Sequence, residues 1–249
     1  MDIRQFILPS GVGLTHIKVY TEPCPDGLIG GGAHIHMVCS EIYYVLEGTG
    51  QIELLSANGV EVVDLVPCKA VSFRPGIFHR VLNPNKDLKI LDITQHGGLA
   101  DRGDFVMAFP PEILRSPGAY AKAVRVRTIE DALKRRDLSI QGYLPIREVF
   151  SRSKEEGREA MRAFYRAARE LMAPKVDGFE WVLKVGAQNE LKDSQDACDF
   201  IRSGRTDYLE HGRHAALFPL NEPATPGLCG ELHPYALDET FLADGRKVA

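Results

Sequence analysis

At 249 residues the chain is long enough for one large domain or two small ones, taking about 150 residues per domain. Its composition, 44% hydrophobic and 26% charged, is that of a globular protein and excludes wholesale disorder. With 30 basic against 34 acidic residues the net charge is −4, which argues against a dedicated nucleic-acid binder.

No apolar run approaches the roughly 18 residues of a membrane span. The opening Met1-Asp2-Ile3-Arg4-Gln5 lacks the charged-then-apolar pattern of a secretion signal, so a cytoplasmic protein without membrane association is expected. Residues 12–97 then read as short strands. Thr15 to Tyr20, Gln51 to Leu54 and Val60 to Val63 alternate, and Asp26-Gly27, Gly48-Thr49-Gly50, Asn58-Gly59, Pro75-Gly76 and Asn83-Pro84 supply turns. Asn58-Gly59 is a hairpin signal, because both residues tolerate the positive φ of a type I′ turn. Strands at this spacing predict a β-sandwich or barrel.

Past residue 98 the texture changes. Thr128 caps a short helix ending near Asp137, and Ser153-Lys154-Glu155-Glu156 reads as a capping box. The helix that follows places Met161, Phe164, Ala168, Leu171 and Met172 on one face, and Pro174 ends it. Its arginines, Arg158, Arg162, Arg166 and Arg169, alternate with glutamates as on a solvated face. Phe179, Trp181, Leu183 and Val185 alternate as an extra strand would, and a short helix is expected from Asp193 to Ile201. Pro219, Pro223, Pro226 and Pro234 then mark an extended arm. The division expected is a barrel over residues 1–100 and a helical and extended region over 101–249, packed on the barrel's outer face, with the arm helping to form a homodimer. Cys24, Cys39, Cys68, Cys198 and Cys229 form no Cys-x-x-Cys pair and are expected as buried free thiols. The loose grouping of His211, His214, Cys229 and His233 has no standard metal spacing and is set aside.

The chemistry concentrates in two stretches. In Gly32 to Gly48, His34 and His36 stand two apart and project to one face of a strand, and Glu41 follows after room for a tight turn. In Phe73 to Asn83, His79 follows a Pro75-Gly76 turn. Three imidazoles and a carboxylate converging inside a barrel would cost several kcal/mol without partners, and a shared cation resolves that cost. Parity sends Tyr43 and Val45 inward with Glu41, so Tyr43 is a candidate for the cavity wall or for catalysis. Phe73 and Phe78 read as cavity wall. Arg74 is a candidate clamp for a carboxylate or phosphate, with Lys18 the other barrel cation within reach, and His96 is a candidate acid or base after the last barrel strand.

These stretches resemble the paired signature of the cupins, Gly-x5-His-x-His-x3-4-Glu-x6-Gly followed by Gly-x5-Pro-x-Gly-x2-His-x3-Asn. His34, His36, Glu41 and Gly48 match the first part, and Gly76, His79 and Asn83 the second. Leu28 stands at the leading glycine of the first motif, and Arg74 at the proline of the second, with Pro75 one place later. The resemblance implies a mainly β protein, a cupin-type antiparallel jelly-roll barrel followed by a helix-containing C-terminal extension. It further implies one divalent transition metal held by His34, His36, Glu41 and His79, iron first, with manganese, zinc, nickel or copper as alternatives.

Three functions follow as expectations. The first is a metal-dependent enzyme acting on an oxygen-bearing small molecule, foremost a mononuclear non-haem oxygenase with Glu41, Tyr43 and His96 as catalytic candidates. Tyr43, Arg74 and Phe73 are then the substrate contacts. The second is a sugar or sugar-phosphate isomerase or epimerase, in which the ion polarises a carbonyl while a nearby group moves a proton. The third is a non-catalytic cupin that binds or senses a small ligand.

Overall fold

Period-two alternation in the first hundred residues produces strands that bury one face each. In the computed structural model, which describes residues 8–100, 102–211, 217–219 and 225–237, these are β1 (Gly13–Val19), β2 (His34–His36), β3 (Glu41–Glu47), β4 (Gly50–Ser56), β5 (Gly59–Leu65), β6 (Ala70–Phe73), β7 (Phe78–Leu82) and β8 (Lys89–Thr94). Later in the chain come β9 (Phe105–Met107), β10 (Leu217–Pro219), β11 (Thr225–Pro226) and β12 (Gly230–Leu237). The expectations resting on residues 1–5, on His214 and on Pro223 fall outside the described residues.

The strands pair antiparallel into two sheets, one ordered β10-β12-β1-β8-β3-β6 with β11 on β12, the other β5-β4-β7-β2-β9. This is the two-sheet jelly roll that the cupin resemblance implies. Strand β3 shows how the layers arise: Glu41, Tyr43 and Val45 are buried while Ile42, Leu46 and Glu47 are exposed. Val45 meets Ile17, Ile52, Val81 and Ile90 in the barrel interior. On the opposite face of the five-stranded sheet, Ile35, Leu55, Phe78 and Val106 form a second core with the helices.

Those helices are α1 (Pro111–Leu114), α2 (Pro117–Val124), α3 (Ile129–Arg152), α4 (Lys154–Met172), α5 (Val176–Leu183) and α6 (Asn189–Arg202). Helix α4 buries Met161, Phe164, Ala168, Leu171 and Met172, as its sequence predicts. The ring of Phe164 lies 4.6 Å from that of Phe78. Phe78 therefore belongs to the sheet–helix core and is not cavity wall. No helix among the described residues is long and apolar enough to cross a membrane.

Several local expectations are corrected. The helix from Thr128 runs through Asp137 to Arg152, with Pro145 inside it. The reciprocal capping box forms at Thr128 and Asp131, whereas at Ser153 only the Glu156 N–H bond to the Ser153 hydroxyl is made. The alternation at Phe179–Val185 is not a strand: α5 and a π-turn at Lys184–Gln188 cover it, with Phe179 and Val182 buried one helical turn apart. In the β4–β5 hairpin, Ser56 pairs with Gly59. Gly59 takes a positive φ of 115° and Asn58 does not, so the turn is not the type I′ turn expected. Among the described residues, the proline arm is extended at Leu217–Pro219, Thr225–Pro226 and Gly230–Leu237, and its residues from Gly230 pair with β1 of the same chain. All five cysteines are free, with Cys68 and Cys198 exposed and the other three buried. Cys68 occupies the leading-glycine position of the second motif, and its φ of 68° is the left-handed geometry that favours glycine.

Candidate metal centre

Each of the four candidate ligands is placed by a short, specific piece of structure. His34 and His36 share the inner face of β2, and His34 pairs in register with His79 of β7. The start of β7 is set by Arg74-Pro75-Gly76-Ile77, where the Ile77 N–H donates to the Arg74 carbonyl at 3.3 Å. Gly76 supplies the φ of 84° that a type II turn needs after proline. The Gly76 N–H donates to the His36 carbonyl at 2.9 Å, and the Tyr165 hydroxyl of α4 donates to the Gly76 carbonyl at 2.7 Å. Asn83, fully buried, donates to the carbonyls of Val19 and Tyr20 and accepts the Leu88 N–H, fastening the far end of β7.

His34, His36, Glu41 and His79 are 2–4% exposed, and one potential ligand atom from each lies within 4.8 Å of all the others. Glu41 Oε1 is 3.1 Å from His36 Nε2, and Oε2 is 3.4 Å from His79 Nε2. The Nε2 atoms of His79 and His34 face each other at 2.9 Å. Every Nδ1 points away from this centre. His34 donates Nδ1–H to the Gly32 carbonyl at 3.2 Å, and His79 donates to the Ile77 carbonyl at 3.2 Å. His36 donates to the Asp104 carboxylate at 2.8 Å. A carbonyl or carboxylate can only accept, so the proton of each neutral ring belongs on Nδ1 and the Nε2 lone pairs turn inward. Two such lone pairs 2.9 Å apart repel one another unless a cation or proton lies between them. His36 Nε2 and Glu41 Oε2 are buried without a hydrogen-bond partner. Mixed nitrogen and oxygen donors with inward lone pairs fit one divalent transition ion, and this group could hold it.

The electrostatics follow from burial and from the two carboxylates. Burial, with His79 and His36 alongside, drives His34 well below the usual imidazole range, and burial pushes His79 down to about 4. For His36 the cost of burial is outweighed by Glu41 and Asp104, which hold its pKa well above the ordinary value. Burial acts to raise Glu41, but the facing His36 leaves its carboxyl below its usual value.

No family model matches the chain, and no curated protein matches it. Among solved structures it is similar in part to Peruvianin-I, a cysteine peptidase from Thevetia peruviana latex (14% identity over 34% of this chain and 51% of that one, TM-score 0.29). It is likewise similar to WlaRA, a TDP-fucose-3,4-ketoisomerase from Campylobacter jejuni (17%, 37% and 64%, TM-score 0.31). A third is a protein with a double-stranded beta-helix domain from Klebsiella pneumoniae (17%, 42% and 81%, TM-score 0.29). The chain spans about half the length of the first and under two thirds of the second. These are partial likenesses of fold and carry nothing about chemistry.

Of the remaining candidates, Tyr43 and Phe73 come to the cluster. The Phe73 ring lies 4.3 Å from the His79 ring, and Tyr43 meets Phe73 edge-on at 5.0 Å. Arg74 is exposed in the turn before β7, and Lys18 is exposed on β1. His96 follows β8 with its main-chain N–H beside the Cys39 thiol, and burial lowers its imidazole pKa. No described hydrogen bond or ring contact joins His96 to the four. Two carboxylates that pattern reading passed over do reach the site. Asp104 is one. Asp92 is the other: it pairs in register with Tyr43 and so shares its inward face, and its Oδ1 is buried without a partner. Burial and the Glu41 charge push the Asp92 carboxyl well above the carboxylate range. Nothing in the sequence marked Asp104, whose value lies in a contact 68 residues away. Strand parity on β8 could have marked Asp92.

Proposed function

We propose that this chain is a metal-dependent enzyme acting on a small oxygen-bearing molecule inside the barrel, with mononuclear non-haem oxygenase chemistry as the leading reading. The observation that carries it is the common orientation of His34, His36 and His79, each with Nδ1 bonded outward and Nε2 turned into the cluster they share with Glu41. These four would hold an iron(II) ion, which supplies a Lewis-acidic, redox-active centre with positions to spare for substrate. Phe73 and Tyr43 wall the site, exclude water from the ligand shell and offer a flat apolar surface to an unsaturated or aromatic substrate. Glu41, whose Oε2 makes no hydrogen bond, would be the carboxylate that takes a substrate proton.

Asp92 favours a second reading, a sugar isomerase or epimerase. A carboxyl on the inner face beside Tyr43, its pKa raised by burial and by the Glu41 charge, would hold a proton at Oδ1 and return it to a neighbouring carbon. A phosphorylated sugar is disfavoured, because the two expected clamp residues, Arg74 and Lys18, are exposed.

The test is reconstitution with iron(II) without air, followed by oxygen-uptake screening across catechols, thiols and keto acids. Uptake that vanishes in His79→Ala supports the oxygenase. Solvent-proton exchange into a sugar without oxygen uptake, lost in Asp92→Asn, replaces it with the isomerase. Metal-loaded protein inert in both screens would leave a ligand-binding cupin.

A further inference from the structure

We propose that Asp104 is a positioning residue of this centre, one carboxylate that sets both the ring of His36 and the turn delivering Glu41, an inference that rests on the metal-binding reading above. Asp104 is fully buried. Its Oδ1 accepts Nδ1–H of His36 at 2.8 Å, and its Oδ2 accepts the main-chain N–H of Cys39 at 2.9 Å and, more weakly, of Val38 at 3.4 Å. Its own carbonyl accepts the Met37 N–H at 3.1 Å. Three of the four residues that link His36 to Glu41, Met37, Val38 and Cys39, are thus held by this one residue, and the fourth, Ser40, is held by Gln95.

His36 is the odd member of the three histidines. His34 and His79 lean on backbone carbonyls two residues away on their own segments, at Gly32 and Ile77. His36 alone leans on a distant side chain, and that side chain is charged. Asp104 reaches it because the next residue, Phe105, pairs with His36 where β9 meets β2. An anionic acceptor at Nδ1 fixes the tautomer and the ring rotation more firmly than a carbonyl does. It also makes Nε2 a stronger donor to a cation. Asp104 therefore ties the segment entering the helical region to the ligand set itself.

The experiment titrates metal-free protein with cobalt(II) alone, read by visible absorbance, for wild type, Asp104→Ala and Asp104→Asn, with circular dichroism on each to establish folding. Asp104→Ala is expected to bind cobalt(II) about 10–100-fold more weakly. Asp104→Asn keeps one acceptor of two and falls between. In zinc(II)-loaded, nitrogen-15-labelled wild type, the His36 Nδ1–H gives a slowly exchanging, strongly hydrogen-bonded proton signal. That signal is lost in Asp104→Ala, an outcome that a merely structural role for Asp104 does not produce. A folded Asp104→Ala protein that binds cobalt(II) within twofold of wild type and keeps the signal overturns the proposal. If Asp104→Ala does not fold, Asp104→Asn decides by the same two readouts. Wild type that takes up no cobalt(II) overturns the metal reading itself, a failure distinct from that of Asp104.

Discussion

Arg80 grips Asp26 with both arms of its guanidinium, Nη1 to Oδ2 at 2.6 Å and Nη2 to Oδ1 at 3.0 Å, immediately behind His79. Arg80 points to the outer face of the sheet because His79, its neighbour on β7, points in. It is 1% exposed, and Glu53 beside it is reached in turn by Arg147 of α3 at 3.1 Å. Removing the Asp26 charge leaves the buried guanidinium with only the more distant Glu53, at 3.9 Å, as a carboxylate partner. Asp26→Asn is expected to cost about 3 kcal/mol in urea unfolding at neutral pH.

The same pair gives a pH dependence with a definite sign. Burial acts to raise the Asp26 carboxyl, but the Arg80 hydrogen bonds and charge win and hold it below its ordinary 3.8. A carboxyl lowered on folding contributes stability that is complete above the unfolded value and is lost as pH falls through the folded one. The stability gap between wild type and Asp26→Asn should stay level above about pH 5 and close below 3.8. A gap that widens on acidification would contradict the assignment.

Asn83 makes three hydrogen bonds to backbone from a fully buried position. Asn83→Leu leaves two carbonyls and one N–H unpaired, at about 1–3 kcal/mol for each group left unsatisfied. The expected result is protein that is insoluble or melts far below wild type, measured by calorimetry.

Gly142 lies inside α3, where alanine would ordinarily add about 1 kcal/mol of helix stability. Here an added Cβ would lie 2.2 Å from the Ala108 carbonyl oxygen and 2.4 Å from the Phe109 carbonyl carbon. Backbone cannot rotate aside as a side chain can, so the sign reverses. Gly142→Ala should destabilise by about 1–3 kcal/mol, read as a lower urea midpoint.

Metal addition should raise the melting temperature. At about a hundredfold excess over its dissociation constant, an ion that binds only folded protein contributes about 2.7 kcal/mol. For a chain of this size that is a rise of roughly 5–10 °C. Scanning fluorimetry with manganese(II) or cobalt(II) should show it in wild type, and the shift should collapse in His79→Ala. Equal shifts in the two proteins would place the ion elsewhere.

The barrel and its four inward-facing groups were legible because a strand's period of two and a recurrent spacing survive in the linear text. Val45 is buried for the same reason that Glu41 is, and either predicts the other. What lay beyond reach depended on contacts. Phe179, Trp181, Leu183 and Val185 fit a period of two, yet Phe179 and Val182 also stand one helical turn apart, and packing on the helical core chose the latter. Helix α3 runs fifteen residues past its expected end near Asp137, through Gly142 and Pro145. Gly142 lets the helix approach the barrel backbone. Nothing in the linear sequence marks Arg80 or Asp104, whose roles rest on contacts with Asp26 and His36.

Strand β12 pairs with β1, and the Tyr20 hydroxyl bonds to the Gly227 carbonyl across 207 residues of chain. During synthesis at about 5–20 residues per second, the edge of β1 therefore waits roughly 10–40 s for its neighbour to leave the ribosome. Throughout that interval the nascent sheet presents a bare hydrogen-bonding margin, where mispairing with other chains competes with closure. Yield at elevated expression temperature should thus be governed by how quickly β12 arrives, more than by the strength of the finished barrel.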